Sequence, residues 1–167
     1  MKNATIVPGS PNAKGNTARL AEAMLSAIDN ESISIRKIEL SKLKRINHCV
    51  GCDSCKKNET RKCVFDDGLN DVIAEVRKSD LLIIACPIYF FNFNSLTKAF
   101  IDRLFYSSEI NNNENLLRGK KVAVLMTYGL TNVIDSGAKN ALQSFLRYIK
   151  VCQSRNNRNS LRLFWRR

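Results

Sequence analysis

Four of the six cysteines sit close together, at Cys49, Cys52, Cys55 and Cys63, with two, two and seven residues between them. Such a cluster points to a metal or redox site rather than a disulfide framework. Four thiolates at these spacings can converge on one centre. They suit a [4Fe–4S] cluster or a tetrahedral zinc ion, both of which take four sulfurs, or they remain free redox-active thiols. The basic neighbours Lys56, Lys57, Arg61 and Lys62 favour the thiolate form. Cys86 and Cys152 stand apart and read as small buried fillers. His48, the only histidine, reads as a solvated loop residue.

A second constellation follows the first apolar run: Gly9-Ser10-Pro11-Asn12-Ala13-Lys14-Gly15-Asn16-Thr17. Small residues let the backbone close around an anion, and exposed amides at a helix start can hold a phosphate. Ser10, Asn12, Asn16 and Thr17 add side-chain donors. The pattern is not a nucleotide-triphosphate P-loop, because its second glycine falls late and Asn16 stands where lysine should precede Ser/Thr; nor is it G-x-G-x-x-G. A third constellation is Cys86-Pro87-Ile88-Tyr89-Phe90-Phe91-Asn92-Phe93-Asn94-Ser95. Aromatic side chains are costly at a solvent edge unless they cover something, and a flat heteroaromatic ring would suit this loop. Phe91 and Phe93 read instead as packing under the next helix or in a subunit interface. With one histidine, a hydrolytic triad has little material, and no catalytic side chain is singled out.

The elements that must position these loops follow from the apolar spacing. Strands are expected at Lys2–Val7, Ser32–Leu40, Leu81–Ala85 and Lys120–Thr127, the last two as continuous apolar runs covered on both faces. Helices are expected from Asn16-Thr17 to near Asp29-Asn30, then at Leu69–Arg77 (with Asp66-Asp67 at its N-terminus), Leu96–Phe105 and Asp135–Ile149. Residues 41–67 form a cysteine-rich loop, and Ser107–Asn115 form another. Ile149–Gln153 reads as the remnant of a last strand. This alternation predicts a doubly wound parallel sheet, whose ligands lie beyond the carboxyl ends of the strands.

The G-S-P-x-x-x-G-N-T loop, the P-I-Y-F-F-N-F loop and Lys98-Ala99-Phe100-Ile101-Asp102-Arg103 together resemble the NADPH-dependent FMN reductase and iron–sulfur flavoprotein family, over roughly residues 2–150. The resemblance implies a flavodoxin-like fold of strand order 2-1-3-4-5, bound FMN, and a homodimer or tetramer. Ser10, Asn12, Gly15, Asn16 and Thr17 would hold the FMN phosphate. Pro87, Ile88, Tyr89, Phe90 and Asn92 would line the flavin ring, and Thr127, Tyr128 and Gly129 would close its far edge. The implied activity is reduction of a flavin or quinone by NAD(P)H. The alternative is an electron carrier holding FMN and [4Fe–4S] at Cys49, Cys52, Cys55 and Cys63. Because the cysteine loop follows the strand beside the first, the cluster would share the flavin's edge. Asp102-Arg103 is assigned to helix packing and the subunit interface. Many relatives carry a basic residue at the position of Asn12, a charge that Lys14 can replace here. Relatives also run longer at the C-terminus, which puts the fifth strand in question.

The net charge of +12 does not indicate a nucleic-acid binder, because five of the 27 basic residues fall in the acid-free segment Ser154–Arg167, the rest are spread out apart from Lys42-Leu43-Lys44-Arg45 and Lys56-Lys57, and no aromatic-interleaved basic stripe is present. No apolar run approaches the roughly 20 residues of a membrane span, and no secretory h-region follows Met1; a cytoplasmic location is expected. The expected organisation is one domain over residues 1–153 and a basic, peripheral tail over 154–167.

Overall fold

The computed structural model describes residues 2–28, 32–60, 62–108, 116–153 and 162–165. Its elements are β1 (Lys2–Pro8), α1 (Asn16–Ser26), β2 (Ile33–Lys37), a single turn α2 (Ser54–Lys57), α3 (Gly68–Lys78), β3 (Leu81–Tyr89), β4 (Asn92–Phe93), α4 (Ser95–Ser108), β5 (Lys121–Thr127), α5 (Ala138–Gln153) and β6 (Arg162–Trp165). Parallel pairing runs β2-β1-β3-β5-β6, and the two-residue β4 folds back antiparallel onto the end of β3. Among the parallel strands this is the expected flavodoxin-like order, with its switch point between β1 and β3.

β3 and β5 are apolar at successive positions because alternate residues feed two separate cores. Leu82, Ile84, Cys86, Val122, Val124 and Met126 pack with Val72, Val76, Phe100, Leu104 and Phe145 of α3, α4 and α5. Ile83, Ala85, Ala123 and Leu125 join Ile6 and pack around Ala21 of α1. Truncating a buried anchor such as Phe100 to alanine costs about 3–5 kcal/mol.

The last strand lies elsewhere than expected. Ile149–Gln153 is the end of α5, because Phe145, Tyr148 and Ile149 continue a helical spacing and are buried. The fifth parallel strand is Arg162–Trp165, which pairs with Ala123 to Met126. It is short, but it comes from the segment expected to be peripheral. The rest of that segment, 154–161 and 166–167, and the loop residues 109–115 lie outside the described residues. On the apolar side of α4, Phe100, Ile101 and Leu104 are buried within the protomer. Among the described residues, no helix is long and apolar enough to cross a membrane.

Candidate functional site

Strand register brings three loops to one edge of the sheet. Pro8 pairs with Ala85, and Pro87 pairs with Thr127, so β1, β3 and β5 end level with one another. The loop after β1 departs at Gly9, whose N–H donates to the Ala85 carbonyl at 2.8 Å. Ser10 Oγ accepts from the Asn12 N–H and donates to the Asn12 carbonyl, each at 3.1 Å. Asn12 Oδ1 accepts from the Lys14 N–H at 3.0 Å. Ser10 and Asn12 thus shape the loop with their side chains, while Lys14 stands exposed on the same turn. Gly15 occupies the N-cap of α1 in extended conformation and has no side chain to cap it. The first-turn amides, those of Asn16 and Thr17 among them, are the donors a helix start offers to an anion. Thr17 is buried, and its hydroxyl lies 2.7 Å from that of Thr127, tying the first loop to the third.

The start of α4 clamps the same loop from behind. The buried Asn94 Nδ2 donates to the Gly9 carbonyl at 2.7 Å, and Thr97 Oγ1 donates to Asn94 Oδ1 at 2.6 Å. A Cβ at Gly9 would lie 2.1 Å from Thr97 Oγ1, so this approach requires glycine. Sequence reasoning missed Asn94 and Thr97. Their one signal is a polar pair three residues apart at the start of an amphipathic helix.

The aromatic loop is a tight hairpin. Tyr89 pairs with Asn92, leaving Phe90 and Phe91 as the two turn residues, with φ of 46° and 66°. Two-residue turns with both φ positive favour Asn-Gly, and bulky residues there cost on the order of 1–3 kcal/mol each. The surroundings hold this conformation in place. Phe93 is buried against Phe145, with ring centroids 6.0 Å apart at 70°. Gly137, at φ 76°, presses so closely on the Phe91 backbone that a Cβ there would lie 2.3 Å from Phe91 Cα and O. Phe90 is 96% exposed, and Tyr89 and Phe91 are also exposed, as are Leu130 and Ile134 on the loop after β5. Phe93 therefore packs inward as expected, whereas Phe91 stays at the surface. Pro87 and Ile88 are buried at the end of β3, Asn92 is exposed, Tyr128 is half-buried, and Gly129 faces open space.

The cysteine segment lies along α3 and α4 rather than beside these loops. Cys49, Cys55 and Cys63 line a cavity of about 300 Å³ with Lys62, Asn70, Arg77 and Arg103; none of its lining residues comes from the phosphate or aromatic loop. The cavity and the loops thus share no lining residue, and α4 carries Arg103 at the one, while Asn94 stands beside the start of the helix at the other. Cys49, Cys55 and Cys63 are half-buried and Cys52 is exposed. Burial pushes the Cys55 thiol up, and the nearby Cys63, Cys49 and Cys52 add to the effect. The four thiols are therefore gathered, but the lysines do not draw Cys55 toward the thiolate; Lys56 pairs with Asp53 at 2.9 Å. Among the described residues, no three His, Cys, Asp or Glu side chains are placed to hold a single metal ion. A zinc site needs its sulfurs about 2.3 Å from one point, whereas a [4Fe–4S] cluster spreads four thiolates over a larger body. The gathered thiols are of the donor type that either centre takes, while Cys52 is exposed and outside the cavity's lining.

A buried network anchors this segment. Arg103 is 3% exposed, and its Nη1 contacts both Asp67 oxygens, at 2.8 and 2.6 Å. It also reaches the Asn47 carbonyl at 3.3 Å, while Nη2 donates to Asn70 Oδ1 at 3.1 Å. Asp67 caps α3 as expected, through the Leu69 N–H, and accepts from the Asn47 N–H and Nδ2 as well. Burial pushes the Asp67 carboxyl up, but hydrogen bonds from Arg103 and Asn47 and the Arg103 charge outweigh it, holding it below the usual range. Arg103 is accordingly an internal anchor between α3 and α4, the expected helix packing, while Asp102 pairs with Lys98 on the same helix. His48 is exposed and Cys86 is buried, its thiol pushed up by burial, as expected. Arg61 and the Cys152 side chain lie outside the described residues.

A flavodoxin-like sheet with a phosphate-type loop at its switch point and an aromatic hairpin beside it defines a class of nucleotide-binding α/β domain. A family model described as NADPH-dependent FMN reductase matches residues 1–161, and the chain belongs to that family. It is 36% identical over 97 residues to an iron-sulfur flavoprotein of Archaeoglobus fulgidus, covering 58% of this chain and 42% of that protein. A second iron-sulfur flavoprotein of the same organism is 31% identical over 142 residues, covering 85% of this chain and 65% of the relative. The chain thus spans about half to two thirds of the length of these curated relatives. In fold it is similar to the NAD(P)H:quinone oxidoreductase from Methanothermobacter marburgensis, with a TM-score of 0.71 at 12% identity, covering 98% of this chain and 84% of that one.

Proposed function

We propose that this chain is an FMN-dependent oxidoreductase that takes electrons from NAD(P)H and delivers them to a flavin, quinone or similar acceptor. The observation that carries it is the convergence of the uncapped α1 start, the strained Tyr89–Asn92 hairpin and Thr127 at one sheet edge. Family membership supplies the cofactor class. Bound FMN supplies a ring that accepts a hydride and returns electrons one or two at a time. The chain's residues bind and shield that ring. Asn16 and Thr17 amides hold the phosphate, Ser10 and Asn12 keep the loop in shape, and Thr17 with Thr127 fixes the distance between loops. Tyr89 and Phe90 exclude water from one side, backed by Pro87, Ile88 and Asn92, while Tyr128 and Gly129 bound the far edge. Gly129, with nothing within 4 Å of a Cβ, leaves room for a flat ligand there. The exposed Phe90, Phe91, Leu130 and Ile134 support a second copy of the chain packing over this rim.

A second reading, favoured by the four gathered thiols and by the names of the A. fulgidus relatives, is an electron carrier holding FMN together with [4Fe–4S]. Visible spectra of anaerobically purified protein, taken before and after NADH or NADPH, separate the two. Flavin bands that bleach with the nicotinamide support the reductase. A broad additional shoulder that bleaches with dithionite supports the carrier. A colourless protein that takes up no FMN contradicts both.

A further inference from the structure

Asn94 stands at the N-cap of α4, since its carbonyl accepts the Lys98 N–H at 2.9 Å. An N-cap asparagine ordinarily turns its side-chain oxygen on the second or third amide of its own helix. Here the side chain is turned elsewhere. Oδ1 accepts from Thr97 Oγ1 at 2.6 Å, and Nδ2 donates to the Gly9 carbonyl at 2.7 Å. Only the nitrogen end of the amide can face a carbonyl, and the Thr97 hydroxyl holds the other end in that sense. Both residues are buried, Thr97 completely. Gly9 is thus tied on two sides, its N–H to the Ala85 carbonyl of β3 and its C=O to Asn94. The peptide plane between Gly9 and Ser10 has no freedom to turn.

A trans peptide sets its N–H opposite the preceding C=O. On one face of the sheet α4 packs through Phe100 and Leu104, and on the other α1 packs through Ala21. Pinning the Gly9 carbonyl toward α4 therefore turns the Ser10 N–H toward the face that carries α1. Ser10 is buried, and among the described residues that N–H has no acceptor, although the Ser10 hydroxyl is engaged by Asn12. A buried amide rarely goes unpaired unless something outside the chain receives it. We propose that Asn94, locked by Thr97, is a positioning residue that aims the Ser10 N–H at the phosphate of FMN, adding one donor to those at the start of α1. The inference rests on the FMN reading of this sheet edge.

The test compares wild type, Asn94→Ala and Thr97→Val, each titrated with FMN and with riboflavin, which lacks the phosphate, by quenching of flavin fluorescence. Val76→Ala, in the core on α3, is the control for lost stability alone. Scanning calorimetry checks that each variant has a folding transition. Wild type should bind FMN more tightly than riboflavin. That preference should fall about tenfold in Asn94→Ala, the worth of one hydrogen bond to a charged group. It should fall by a smaller factor in Thr97→Val, which leaves the Asn94 amide in place but unlocked, and stay at the wild-type value in Val76→Ala. Equal weakening of FMN and riboflavin in Asn94→Ala, or no weakening of either, overturns the proposal. Should Asn94→Ala show no folding transition, Thr97→Val decides, and an unchanged preference there overturns it. Wild type that binds the two flavins equally overturns the proposal while leaving a flavin site. Wild type that binds neither overturns the FMN reading on which it rests.

Discussion

Replacing Gly9 with alanine probes the join between the phosphate loop and α4. The added Cβ would sit 2.1 Å from Thr97 Oγ1 and 3.1 Å from Thr97 Cβ, so either the helix start or the loop must move. Overpacking of this kind costs about 1–3 kcal/mol. Displacing the Asn94 Nδ2 bond to the Gly9 carbonyl adds about 1 kcal/mol. For a domain of this size each kcal/mol lowers Tm by about 2–4 °C, so Gly9→Ala should lose roughly 4–16 °C. Its FMN affinity, read by quenching of flavin fluorescence on titration, should fall at least about tenfold, since 1.4 kcal/mol of misplacement suffices for that. Thr97→Ala removes the offending hydroxyl. The Gly9→Ala/Thr97→Ala pair should therefore recover part of the loss, with a coupling of at least about 1 kcal/mol in the double-mutant cycle. Gly9→Ala with Tm within 2 °C of wild type and FMN affinity within twofold would refute the reasoning.

Other outcomes follow from the same geometry. Thr17→Ala breaks the 2.7 Å contact with Thr127 and should weaken FMN binding several-fold while far-ultraviolet circular dichroism stays native. Phe90→Asn/Phe91→Gly gives the hairpin residues suited to positive φ; it should raise stability by about 2 kcal/mol or more yet lower FMN affinity or turnover, which calorimetry and NADPH oxidation would register. Asp67 has a folded pKa below its unfolded value of about 3.9, so its stabilising contribution is present above that pH and lost as pH falls through the folded pKa. Asp67→Asn should accordingly flatten the acid limb below about pH 4 in a pH-dependent unfolding series. Sedimentation at micromolar concentration should give a dimer or larger, and Phe90→Ser with Ile134→Ser should shift it toward monomer.

Where local pattern decides the structure, the sequence was legible. Val122–Met126 and Leu82–Cys86 are apolar because neighbours cover both faces, so the run alone marks a buried strand. The loops after β1 and β3 stood out because glycine spacing and clustered aromatics are local signals. The fifth strand was misplaced because Tyr148 and Ile149 prolong the apolar spacing of α5, while the true strand is four residues set among arginines. The Asp67–Arg103 pair was invisible for another reason. Asp67 has a sufficient local role as a cap, and its partner is 36 residues away on another helix. The clamp of Asn94 on Gly9 spans 85 residues and likewise leaves no local trace. The packing of the cysteine segment on α3 and α4 was not legible, because strand order places loops at an edge but does not say along which helix they then run.

The central claim is that the three loops at the β1, β3 and β5 ends form an FMN site. Its most direct test is to release the cofactor by heat from protein purified in the dark, then identify and quantify it by chromatography against FMN, FAD and riboflavin. The account predicts FMN at close to one per chain, or uptake of one FMN per chain on titration if it is lost in purification, with Gly9→Ala impaired in either case. FAD in its place, or a folded protein that neither carries nor takes up FMN, would contradict it.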